Sequence, residues 1–255
     1  MLSVTSAQLA GWIAAFVWPF ARVLALISVA PVLGHASIPA RVKIGLAALI
    51  AVALAPALPP PPANAFENWN AVNLLLAQTA IGLALGFTLR VIFAAFEMAG
   101  DLIGMEMGLS FATFVDPQNS SQTPLLGSFF GIVATLVFLS IDGHLRLLMA
   151  LGDSFILFPV GADALSHAPL RELARLGSEL FRIGLHLALP VLTALLVCNL
   201  ALGILTRAAP QLNLLSVGFP VTLLTGLWWL AHGMPWTVQA MQSTLEQWPA
   251  FLTMR

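Results

Sequence analysis

Charge is what this sequence has least of. Only 8% of its 255 residues are Asp, Glu, Lys or Arg, where an ordinary soluble domain carries about 25%. Too few charged side chains remain to cover a water-facing surface. Net charge is −1, so no basic field is available for nucleic acid. Cysteine is nearly absent as well. Cys198 stands alone, which excludes an internal disulfide and a paired-cysteine metal site. Catalytic signatures are also missing: there is no HExxH, no P-loop and no GxSxG. Residues 1–6 carry no cationic run, so a cleaved signal peptide is not expected and the first apolar segment is expected to stay in the fold.

Apolar residues are what the chain has instead. They make up 59% of it, with a mean hydropathy of +0.94. The sequence predicts an all-α, polytopic membrane protein with helices interrupted by proline and glycine. Residues 7–33 are apolar except for Arg22, and long uncharged runs precede and follow Glu67, follow Asp116 and follow Arg182. With shorter runs at 145–160 and 212–231, roughly six or seven segments reach membrane-crossing size. If seven spans alternate, Arg41, Lys43, Arg90, Arg171, Arg175 and Arg182 share the cytoplasmic side. Pro59 to Pro62 mark a stiff turn. Residues 161–182 hold alternating charges at helical spacing, as expected of a short aqueous helix. No repeat or composition break appears, so residues 1–255 read as one membrane domain.

Two features carry mechanism. Arg22 lies about two-thirds along the first apolar segment, three residues after Pro19. A charge there either faces a protein interior or aqueous path, or snorkels to the headgroups. The second feature is residues 97–124. Gly100, Gly104 and Gly108 recur every fourth residue, a groove that lets another backbone approach closely. Glu97, Asp101 and Met105 form the neighbouring row, and Glu106 follows. Three acids beside a glycine stripe are unfavourable against lipid and fit a subunit interface or a water-filled path. The stripe leads into a polar stretch from Asp116 to Pro124. At membrane depth such backbone survives only inside protein or beside water; otherwise it is a surface loop. Gly82/Gly86 and Gly127/Gly131 repeat the small-residue spacing, each a weak signal alone.

Over nearly its whole length the chain resembles the family of the flagellar biosynthetic protein FliR, whose relatives sit in type III secretion export apparatus. The resemblance rests on Glu97, Gly100, Gly104, Met105, the run Met107 to Phe111, and Asp116-Pro117. It continues through Gly143-His144, Ser154, Pro159, Leu189-Pro190, Asn199, Gly203, Arg207, Pro210-Gln211, Asn213 and Gly218 to Pro220. Glu106 stands where that family has glutamine. The resemblance implies a subunit of the flagellar protein export gate in the bacterial inner membrane, at the basal body. One copy would join several copies of other small membrane subunits and pass unfolded export substrates. About 1–180 would be a first portion and about 181–255 a C-terminal helical hairpin. The matching plug loop is about residues 110–123. Met105, Met107, Phe111, Phe114, Asp116 and Pro117 would form the plug or gate; Gly100, Gly104, Gly108, Arg22, Glu97, Asp101 and Arg207 would form helix-packing interfaces. No cofactor, metal or catalytic residue is implied. The alternative from hydropathy and buried charge is a small-solute or ion transporter.

Overall fold

The computed structural model describes residues 5–59, 69–109, 124–161, 170–209 and 214–248. Among them the structure is helical, with no strand. The helices are α1 (Ser6–Val29), α2 (Ala40–Leu54), α3 (Asn70–Glu106), α4 (Leu125–Ser140), α5 (Gly143–Leu157), α6 (Leu170–Ala208) and α7 (Leu214–Gln247). A single 3-10 turn, Ala55–Ala57, closes α2. The all-α, membrane-type expectation is met.

The span count differs from the hydropathy reading. Among the described residues four helices are long and apolar enough to cross a membrane, or five if α4 and α5 count as one broken span. Uncharged runs in sequence do not mark helix ends here: α3 continues through Arg90 for 37 residues. The run at 145–160 lies mostly in α5. α6 has 39 residues, and much of the charged stretch at 161–182 belongs to its first turns rather than to a separate helix. At about 1.5 Å per residue, α3 and α6 are about 55 and 58 Å long, well beyond the ~30 Å hydrocarbon core. Of the four candidate spans, α3 is the most enclosed and α2 the least.

Local chemistry explains the ends. α1 opens on a capping box: Thr5 Oγ1 accepts from the Gln8 amide at 3.3 Å, and Gln8 Oε1 accepts from the Thr5 amide at 3.0 Å. Its last carbonyls are covered by a turn at Gly34, whose amide donates to the Ala30 carbonyl at 2.7 Å. Lys43 donates to the Gly34 carbonyl at 2.8 Å, placing a cation near the negative end of α1. α4 starts directly after Pro124, a place where proline's missing N–H costs the helix no hydrogen bond. α5 starts after Asp142, which adopts φ 55°, a left-handed conformation that Asp tolerates better than most residues. Pro19, Pro190, Pro220 and Pro235 all lie inside helices. Many hydroxyls are satisfied within their own helix, such as Thr88 to the Ala84 carbonyl at 2.8 Å and Thr193 to the Leu189 carbonyl at 2.7 Å. Such self-bonded hydroxyls are compatible with apolar surroundings.

The chain divides into two compact units interleaved in sequence. One comprises Met1–Arg90, Asp142–Leu176 and Trp248–Arg255; the other comprises Val91–Ile141 and Gly177–Gln247.

Candidate functional site: a buried arginine and a glycine-built crossing

In the first unit Arg22 is wholly buried, which decides between the two readings of its sequence position: it faces protein interior and does not snorkel. Burying a guanidinium is costly unless its donors are met. Here Nε donates to Gln78 Oε1 at 2.8 Å, Nη1 to Ser154 Oγ at 3.0 Å, and Nη2 to the Phe158 carbonyl at 2.7 Å. The guanidinium carbon also sits 3.9 Å from the centroid of the Phe155 ring, a cation–π contact strengthened by exclusion of water. Ser154 in turn donates to the Leu151 carbonyl at 2.6 Å. These acceptors are all neutral, so the charge is solvated by dipoles and a π face.

Arg22 is held close to α3 by missing side chains. A Cβ at Gly82 would collide with the Arg22 carbonyl, and one at Gly86 would lie 2.8 Å from the Leu26 carbonyl. The Gly82/Gly86 pair, weak as a motif, is the bare surface on which α1 lies. Gln78 is a buried partner that sequence reasoning missed, and Ser154 was noted only as part of the resemblance, not as a partner of Arg22. No local pattern marks them, because they are 56 and 132 residues from Arg22.

The second unit contains the glycine stripe, and its three glycines differ. Gly100 faces the Leu126 backbone; a Cβ there would collide with the Leu126 carbonyl and lie 2.8 Å from the Gly127 nitrogen. At Gly104 a Cβ would make ordinary contact, 3.6 Å from Leu126 Cβ. Gly108 is not part of the groove. It has φ 80° and ends α3, with its amide donating to the Met105 carbonyl and the Leu109 amide to the Gly104 carbonyl, each at 3.0 Å. That is the Schellman pattern, which needs a left-handed residue most easily supplied by glycine.

The acids use the glycines of the facing helix. The Asp101 carboxylate lies where a Gly127 side chain would be, and the Glu97 side chain occupies the space at Gly131. So Gly100 admits α4 to α3, while Gly127 and Gly131 make room for α3's carboxylates. Asp101 Oδ1 is enclosed and has no hydrogen-bond partner among the described residues. A third close approach is at Gly184 of α6, where a Cβ would meet the Ala95 carbonyl at 2.7 Å.

The end of α3 is fastened twice more. Glu106 Oε1 accepts from Asn199 Nδ2 at 2.8 Å. The Met107 side chain fills the space at Gly226 of α7, and its carbonyl lies 3.5 Å from Thr222 Oγ1. The two methionines therefore part company. Met107 is fully buried, whereas Met105 is 56% exposed. Arg207 is exposed in the last turn of α6, where a cation suits the helix dipole. Phe111, Phe114, Asp116 and Pro117 lie outside the described residues. Among the described residues, no three His, Cys, Asp or Glu side chains gather as a metal site would require.

Residues 13–248 match the model of the family described as bacterial export proteins, family 1. The flagellar biosynthetic protein FliR of Escherichia coli (strain K12) is 48% identical over 238 residues, 92% of this chain and 90% of that protein. FliR of Pectobacterium carotovorum is 47% identical over 92% of this chain and 90% of its own length. FliR of Bacillus subtilis (strain 168) is 32% identical over 82% of each. A chain so similar over so much of its length, with its buried arginine and glycine-built crossings inside the matched region, belongs to the bacterial export protein family that contains the FliR proteins.

Proposed function

We propose that this chain is a non-enzymatic subunit of the gate of the flagellar type III export apparatus, seated in the inner membrane at the basal body. The observation that carries the reading is the 48% identity to a flagellar biosynthetic protein over nine-tenths of both chains. One copy joins other small membrane subunits around a conduit for unfolded export substrates. Residues 110–123 close that conduit at rest, with Phe111, Phe114 and Asp116-Pro117 as the anchoring or sealing part. Met105, at the exposed end of α3, faces the passage, where a deformable thioether seals against ions yet yields to a polypeptide.

The stems of the loop support this role. Its first stem is the glycine-capped end of α3. Its second stem, Pro124 to Gly127, lies against Gly100 and Asp101. Both residues that flank the loop are therefore fixed, one by a glycine cap and the other by close backbone approach. Glycine-built crossings and helices longer than a bilayer also suit a chain enclosed largely by neighbouring polypeptide.

Two measurements test the proposal together. Affinity purification from membranes is expected to recover other small membrane proteins in fixed ratio. Deletion of residues 110–123 is expected to preserve that recovery and make the membrane permeable to ions. Recovery of the chain alone, or an unchanged ion permeability after deletion, overturns the gate reading and favours a solute transporter.

A further inference from the structure

We propose that the outer face of α2 meets lipid acyl chains directly. One boundary of the hydrocarbon lies at Trp12 and Trp69, the other at Arg41, Lys43 and Arg90. The inference concerns the first unit alone and uses neither residues 110–123 nor the gate reading.

α2 has the chemistry of a lipid-facing helix. Every residue from Ile44 to Leu58 is apolar. Only 11% of Ala40–Ala57 is buried, and the buried residues of α2 are Ala47 and Ala51, one turn apart. Their small side chains form the strip that faces inward. The exposed residues Val42, Leu46, Leu49, Val52 and Ala53 spread over about 120° of the circumference, at about 100° per residue. That is wider than the narrow seam one packed helix fills. A face this broad, without a donor or acceptor side chain, suits fluid acyl chains and is unsuited to an aqueous path.

Three helices agree on where the hydrocarbon ends. α1 and α3 run parallel, because Leu74 packs on Ala14 and Trp18, Gly82 on the Arg22 carbonyl, and Gly86 on the Leu26 carbonyl. Extended one way, this register brings Trp12 level with Trp69. These tryptophans are 63% and 76% exposed, as at a membrane–water interface. Extended the other way, it brings Arg90 level with Gly34, whose carbonyl accepts from Lys43 at 2.8 Å. Arg41 and Arg90 are exposed there, where long cationic side chains reach headgroups. α2 runs back from that level, and Ala55 and Leu58 line a cavity with Gly11 and Ala15 of α1. From Asn70 to Arg90 is about 30 Å and from Arg41 to Ala57 about 26 Å, against ~30 Å of hydrocarbon. Arg22 lies about 15 Å from Trp12 along α1, at mid-depth, where a charge is costliest and its complete burial matters most. α5 does not share the lipid face, because Asp153 is exposed beside Ser154, the partner of Arg22.

The test is spin labelling in a Cys198→Ser background, with the assembly purified from membranes and reconstituted in phosphatidylethanolamine–phosphatidylglycerol vesicles. Labels are placed through Arg41→Cys, Leu46→Cys, Leu49→Cys, Val52→Cys and Ala57→Cys, one at a time. Collision is measured with oxygen, which concentrates in hydrocarbon, and with a water-soluble nickel chelate. The oxygen-to-nickel ratio is expected to peak at Leu49 and to fall toward both Arg41 and Ala57. In vesicles of longer-chain lipids the ratio at those two ends is expected to rise. Low collision with both reagents at positions 46, 49 and 52 would mean that protein covers α2, and high collision with nickel would mean water; either overturns the proposal. A peak at 49 with ends that ignore acyl length overturns the assigned boundaries. Recovery of other subunits is scored separately, so a chain purified alone counts against the gate reading while the collision profile still judges the lipid face.

Discussion

Gly100 and Gly104 occupy equivalent positions in a four-residue repeat, yet the structure assigns opposite signs to the same substitution. Alanine at Gly100 would place its Cβ against the Leu126 carbonyl oxygen, 2.7 Å from the Leu126 carbonyl carbon and 2.8 Å from the Gly127 nitrogen. These are backbone atoms, so no rotamer change relieves the overlap and the helices must separate. Overpacking of this kind costs about 1–3 kcal/mol. Replacing a helical glycine by alanine returns about 0.8–1 kcal/mol in propensity. The net expectation is a loss of roughly 0–2 kcal/mol from those two terms. At Gly104 the nearest atoms are side-chain carbons of Leu126 at 3.6–3.9 Å, an ordinary contact. There the propensity gain stands unopposed, and the expectation is about 1 kcal/mol of stabilisation. The assay is thermal unfolding of the purified complex alongside its yield. A chain of this size moves roughly 2–4 °C per kcal/mol, so the two variants should fall on either side of the parent. Equal losses at both positions would refute the claim that Gly100, rather than the stripe as a whole, carries the crossing.

Two further outcomes follow from the buried network and the surface. Ser154→Ala leaves Arg22 Nη1 without its 3.0 Å acceptor and should cost about 1.5–3 kcal/mol, a hydrogen bond to a charged group; the same thermal assay reads it, and a neutral result would show the network to be redundant. By contrast, Glu179→Gln removes an exposed pair with Arg182 and should change stability by less than about 1 kcal/mol; a large loss would mean that the pair belongs to an interface.

The fold class and the small-residue spacings were legible in the sequence because each follows from composition or from a local period, whereas the burial of Arg22 was one of two readings left open. What was not legible depends on distance or on handedness. Gly108 fits the period of the groove, but its positive φ makes it a cap, and spacing carries no information about the sign of φ. Met105 and Met107 were grouped by chemistry, which carries no information on their burial: Met107 is enclosed and Met105 exposed. Span counting failed because charges such as Arg90 and Arg182 lie within continuous helices. The Arg22 partners were invisible because hydrogen bonding to Gln78, Ser154 and Phe158 follows from packing between distant helices. The Glu106–Asn199 bond is similar: Glu106 was noticed as a departure from its family, but its partner lies 93 residues away.

The Arg22 cluster also has a consequence for how the protein comes into being. Its acceptors lie 56, 132 and 136 residues further along the chain. At synthesis rates of about 5–20 residues per second, Ser154 leaves the ribosome roughly 7–26 s after Arg22. Throughout that interval the first apolar segment carries a cation whose set of permanent hosts is incomplete. Water, headgroups or the insertion machinery must shelter it meanwhile, so the nascent chain's first helix settles into its final depth only after the fifth has been made.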